Sequence, residues 1–213
     1  MLWIIVKGGP VMIPIIIGSV LGLAIIIVKL WTLSKLRIDA EQFTDGVIAK
    51  VRAKRLDEAI ELCLAKSDYP IAQTLKAGLE VFSRRDLETH EIEKSMERAG
   101  NREVNKLEQH IGGLISIIGI EPLLGFLGTI TGLIKAFMVW EKAGSNITVS
   151  QLAGGIYEAM ITTAAGLIVA VPFYLVCNYI ISRIKYVSYE LGDCSMRLSE
   201  AIAETRVAPE ARK

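Results

Sequence analysis

The chain has 213 residues, a net charge of +1 from 24 Lys+Arg and 23 Asp+Glu, and 52% hydrophobic against 22% charged residues, for a mean hydropathy of +0.43. The two kinds of residue fit into one chain only if they are segregated, and the uncharged stretches are long enough to cross a hydrocarbon core of roughly 30 Å, which takes about 20 apolar residues. A soluble globular enzyme is therefore excluded, and the balanced charge, with no basic stripe, excludes a nucleic-acid-binding protein.

Residues 1–9 are read as an outer-side N-terminus and 10–31 as the first span. The run Val11 to Val28 carries no charge. It exceeds a signal-peptide apolar region of about 7 to 15 residues, and no A-x-A site follows, so a retained helix is expected. Pro10 and Pro14 fall in its first turns, where a missing N–H costs least. Lys29 and Trp31 close it at an interface.

Residues 32–109 hold 14 Lys+Arg and 15 Asp+Glu and read as a cytoplasmic helical loop. Leu56, Ile60 and Leu64 recur at helical spacing, Asp68-Tyr69-Pro70 breaks the pattern, and Ile71, Leu75, Leu79 and Phe82 resume it. After a second break at Ser83 to Asp86, Ile92, Met96, Leu107, Ile111 and Leu114 predict one long helix running into the second span, 110–140. A short periplasmic connection, 141–150, makes an antiparallel hairpin with the third span, 151–182. The tail, 183–213, continues helically through Ile184, Val187, Leu191, Leu198 and Ile202, and Val207 to Lys213 are expected to fray. The predicted fold is an all-α membrane protein with three transmembrane helices, two of them long and extending into a cytoplasmic helical bundle.

Lys and Arg near the span ends set the orientation. Lys35, Arg37, Lys50, Lys94, Arg98, Arg102, Lys106, Arg183 and Lys185 lie on one side, and only Lys7 and Lys142 on the other. The N-terminus is expected in the periplasm and the C-terminus in the cytoplasm. Cys63, Cys177 and Cys194 have no metal-ligand spacing and read as reduced thiols. His90 and His110 lack a paired nucleophile or ligand. No catalytic residue, metal site or cofactor is expected.

Gly125, Gly128, Gly132 and Ala136 give the second span a narrow face of small residues, answered in the third by Gly155, Ala159, Thr162, Thr163, Gly166 and Ala170. In lipid, such residues drive helix association by close backbone approach and hydroxyl bonds. Thr129 and Thr163 are equidistant from Asn146, so the hairpin is expected to bring their hydroxyls to one depth, facing each other or a lumen, unless each bonds the carbonyl one turn back. Glu158 lies inside the third span, opposite Ile134. An ionised carboxylate facing lipid is expensive, so it is expected to face a cavity or partner and mark an ion path. Of the remaining charges, Glu121 is expected at the inner interface, and Lys135 is expected to snorkel outward along its stem.

The run Pro122-Leu-Leu-Gly-Phe-Leu-Gly-Thr129-Ile-Thr-Gly132, the run Gly155-Ile-Tyr-Glu158-Ala-Met-Ile-Thr-Thr163-Ala-Ala-Gly166 through Pro172, and Asn178 resemble the MotA/TolQ/ExbB proton channels of bacterial inner membranes. Three spans are similar to the ExbB/TolQ branch, and the resemblance covers essentially the whole chain. It implies that Thr129, Glu158 and Thr163, with Thr162 beside them, line a pore, and that Gly125, Gly128, Gly132, Gly155, Gly166 and Pro172 serve helix packing. It further implies a homopentamer holding an ExbD/TolR-like single-span dimer in its centre, a TonB- or TolA-like protein beyond it, and H+ as the transported ion, with Na+ as the alternative. A non-conducting scaffold is the competing function. Glu121 stands where that family usually has a small residue, and the outer-side extension of some members is expected to be absent ahead of the first span.

Overall fold

The computed structural model describes residues 7–36, 39–84, 89–144 and 148–207. Among the described residues seven helices run in chain order: α1 Met12–Lys35, α2 Ala40–Arg52, α3 Leu56–Ala65, α4 Pro70–Phe82, α5 Thr89–Glu108, α6 Ile111–Ala143 and α7 Val149–Val207. Among the described residues there is no strand. Three stretches are long and apolar enough to cross a membrane, Met12–Lys35, Thr89–Ala143 and Leu152–Thr205, and 22 to 28% of their most apolar windows are buried within the chain. The rest of each apolar surface faces outward. Helices apolar all round suit a lipid environment or a surrounding assembly, and this is a membrane protein.

Two compact units share the chain, Met1–Leu30 with His110–Tyr179, and Trp31–Gln109 with Ile180–Lys213. The second unit is built on short amphipathic helices. Asp39 caps α2 by accepting from the Gln42 N–H at 3.0 Å, and Pro70 occupies the first turn of α4, where its missing N–H leaves no helical bond unmade. The buried core takes Phe43, Val47 and Val51 from α2, Ala59 and Cys63 from α3, Leu75 and Leu79 from α4, Ile92 and Met96 from α5, and Leu191, Leu198 and Ile202 from α7. Gly78 lets α4 and α5 approach closely, since a Cβ there would lie 2.6 Å from Met96 Cγ.

The 3.6-residue pattern holds for α4, α5 and α7. On α3 the buried face is Ala59 and Cys63, whereas Leu64 is exposed. Of the expected stripe, Leu56 and Ile60 do pack, partly buried, against this core, and only Leu64 turns away from it. The ion pair of Lys50 with Glu58 spans α2 and α3 at 2.7 Å. The Lys50 ammonium, helped by Arg55, holds the Glu58 carboxyl below its ordinary range.

Burial pushes the Cys63 thiol up to about 12, and thiolate is the reactive form. All three cysteines are free and buried. Native protein is therefore expected to resist maleimide at neutral pH and to take three labels per chain once denatured, which mass spectrometry reads directly.

Two expectations about long helices part company. The third span does continue, as the single 59-residue α7. The predicted continuous helix from Ile92 through Leu114 is interrupted, because His110 has φ 65°, in the left-handed region, and starts α6 anew. The apolar periodicity runs straight through this point, since Leu107, Ile111 and Leu114 are all buried, so a side-chain pattern does not reveal it. The second break is a turn at Ser83 and Arg84. Arg85 and Asp86, with Arg37, Asn146 and residues 208–213 of the end expected to fray, lie outside the described residues.

Candidate functional site: the α6–α7 hairpin

The buried residues of α6 are Ile111, Leu114, Glu121, Gly125, Gly128, Gly132 and Ala136, a stripe at three- and four-residue spacing that turns one narrow face inward. From Gly125 onward it is built of residues with almost no side chain, and α7 nests against it. A Cβ at Gly132 would lie 2.6 Å from the Gly155 carbonyl oxygen and 2.8 Å from the Ala159 nitrogen. One at Gly125 would lie 3.1 Å from Thr163 Cα, and one at Gly128 would run into the Thr162 hydroxyl. At the next level Gly166 packs on the Glu121 backbone carbonyl. These glycines are positions where two backbones touch.

Backbone nesting also sets the register. Thr163 donates its hydroxyl to the Gly125 carbonyl at 3.0 Å, crossing the hairpin one turn away from Thr129. Thr129 instead bonds its own helix, at the Phe126 carbonyl, 2.5 Å. The two hydroxyls do not bond each other, because the glycine contacts rather than the midpoint of the connection decide which residues are opposite. Thr162 is fully buried and donates to the carbonyls of Glu158 and Ala159 at 3.0 and 2.9 Å. It therefore fills the seam against Gly128.

Glu158 lies about 13 Å along α7 from its first residue, at 1.5 Å per residue. Its side chain is 12% exposed, and Oε1 accepts from Lys135 Nζ at 2.5 Å. This overturns the snorkelling expected of Lys135. At this depth a carboxylate on the facing helix is a better partner than a distant surface, because each charge reduces the cost of the other's removal from water. Gly9, at φ 68°, closes the other side, since a Cβ there would run into Glu158 Oε1. Lys135 and Gly9 are thus site residues that pattern reading missed. The signal for Lys135 was present: the position opposite Glu158 was Ile134, its immediate neighbour.

Among the described residues, no hydrogen bond joins the Glu158 carboxylate to Thr129, Thr162 or Thr163. Pro172 is exposed and lies outside the α6–α7 seam. Glu121 is 1% exposed, on the buried stripe of α6 four residues before Gly125. No group of His, Cys, Asp or Glu able to hold a metal ion occurs among the described residues.

An apolar α-helical hairpin with a glycine seam and an ion pair between its two helices, in a chain with three stretches apolar enough to span a bilayer, defines a polytopic membrane protein. Residues 66–192 match the model of the MotA/TolQ/ExbB proton channel family, and the chain belongs to that family. It is 34% identical over 178 residues to the putative biopolymer transport protein ExbB-like 1 of Synechocystis, covering 83% of this chain and 68% of that one. Against the biopolymer transport protein ExbB of Salmonella typhimurium it is 30% identical over 203 residues, 88% of this chain and 78% of the relative. The Tol-Pal system protein TolQ of Haemophilus influenzae is 33% identical over 100 residues, 47% and 43% of the two chains. These relatives support the ExbB/TolQ branch.

The differing bonds of the threonines predict differing effects. Thr163→Ala removes a bond between helices and is expected to weaken the hairpin by about 0.6 kcal/mol, a typical value for such a bond in a membrane protein. Thr129→Ala removes only a bond within its own turn and is expected to leave stability unchanged. Unfolding of the two variants in mixed micelles measures both.

Proposed function

We propose that the chain is the proton-conducting, stator-like subunit of a bacterial inner-membrane motor, coupling the proton motive force to work at the outer membrane or envelope through an ExbD/TolR-like partner. The observation that carries this reading is the Glu158–Lys135 pair between two largely apolar helices. Intramembrane charges are retained where they serve an ion path or a moving partner. Moving one charge through 100 mV supplies about 2.3 kcal/mol, a source of work that needs no nucleotide. A ring of copies, five by family resemblance, would surround the single spans of a partner dimer, with a TonB- or TolA-like protein receiving the motion. Glu158 would set the charge of the ring interior and Thr129 would offer an unburied hydroxyl along it, while Thr162 and Thr163 hold the wall together.

A second reading, a non-conducting scaffold that assembles a partner, is favoured by a specific observation: Glu158 is already paired, and the hydroxyls of Thr129, Thr162 and Thr163 are all engaged with backbone carbonyls. Proteoliposomes containing the chain and an ExbD/TolR-like partner separate the two. Conduction predicts acidification of the lumen under an imposed potential in sodium-free medium. A sodium requirement would reassign the ion, and no flux under either condition would favour the scaffold.

A further inference from the structure

Glu121 is unused by the site described above and is the least expected side chain in the transmembrane unit. It is 1% exposed, and its Oε2 is buried with no hydrogen-bond partner among the described residues. Its Oε1 is the atom nearest to where a Cβ on Gly18 of α1 would project, and its backbone carbonyl is the atom that a Cβ on Gly166 of α7 would meet. Glycines on two different helices thus make room for one residue of a third. Beside the carboxyl lies a cavity of about 260 Å³ lined by Pro14, Ile17, Gly18, Ile117, Ile120 and Leu124 together with Glu121. Among the described residues no other lining side chain carries a polar group, and none is basic.

Three occupants can be weighed for the free oxygen. A metal cation needs several oxygen ligands, and the cavity offers one carboxyl. An ordered water needs two to four polar partners, which the aliphatic walls do not provide. A proton needs only the carboxyl, and an isolated carboxylate in apolar surroundings takes up a proton rather than remain ionised. We propose that Glu121 is a proton-binding site separate from the Glu158–Lys135 pair, a neutral carboxylic acid at the junction of α1, α6 and α7 that exchanges its proton with solvent. Gly166, its neighbour on α7, is about 12 Å along the helix from Glu158, so the two carboxyls occupy different levels of the hairpin. The proposal does not depend on conduction through Glu158.

Infrared difference spectroscopy on the full chain in lipid nanodiscs at pH 7 tests it. Subtracting Glu121→Gln from wild type is expected to leave one carboxylic-acid carbonyl band per chain, which shifts to lower frequency in D2O, and Glu158→Gln is expected to retain that band. Glu121→Asp keeps the acid at a changed distance from Gly18 and is expected to show the band displaced rather than lost, which preserves the test if the Gln variant does not assemble. Carboxylate bands in place of the acid band would overturn the proposal. So would an acid band unmoved by D2O, since that proton would not exchange.

Discussion

Glu158→Gln is expected to reduce proton flux to background while leaving the hairpin folded. The amide keeps an oxygen that can accept from Lys135, and its volume matches the carboxyl, so the contact with Gly9 is preserved. Only the charge and the capacity to exchange a proton are lost. Lys135 then stands uncompensated, but its side chain is 49% exposed and can reorient along its stem, so the stability cost is expected within about 1 kcal/mol. Lys135→Gln is not equivalent. It leaves the carboxylate, 12% exposed, without its cation, and removing one partner of a buried pair costs roughly 3–5 kcal/mol. The half-exposed lysine lowers that expectation to about 1–3 kcal/mol. The double variant is expected to recover most of the stability and none of the flux. Paired flux and unfolding measurements on the three variants separate charge from packing, and wild-type flux in Glu158→Gln would remove Glu158 from the mechanism.

Gly132→Leu is expected to have the largest structural effect. A Cβ at this position meets the backbone of α7 on two sides, 2.6 Å from the Gly155 carbonyl oxygen and 2.8 Å from the Ala159 nitrogen. Backbone cannot rotate aside as a side chain can, so the helices must separate. Overpacking of this kind costs about 1–3 kcal/mol even where neighbours can adjust, and here it also opens the seam that drives association in lipid. Loss of hairpin stability in mixed-micelle unfolding, with helicity kept, is the expected outcome. Gly112→Leu is the matched control, because no described residue lies within 4 Å of a Cβ there. Equal behaviour of the two variants would contradict the packing argument.

Most of the architecture was legible because bilayer thickness and helical period leave few alternatives to long uncharged runs. The three spans, the hairpin and the extended last helix all follow from them. What escaped was decided by contacts between elements. The turn at His110 interrupts a helix without interrupting its apolar stripe. The register of Thr163 against Gly125 depends on where glycine backbones nest, which no count from the connection reveals. Glu121 illustrates a signal that was available but outweighed: its place four residues before Gly125 puts it on the small-residue face, yet a charge beside a proline reads more naturally as a boundary. Lys135 was treated as a lone charge because its partner is 23 residues away in sequence and adjacent only after the hairpin closes.

The left-handed glycine ahead of the first span has a practical side for those who build fusions. Gly9 combines a φ of 68° with direct contact against Glu158, so the chain there has neither conformational nor spatial slack. A reporter domain or affinity tag joined close to this glycine would pull on the wall of the charge pair, and a loss of activity in such a fusion would be mistaken for a fault in assembly. Attachment beyond Val207, the last residue of the 59-residue α7, leaves Gly9 and its contact with Glu158 unmodified.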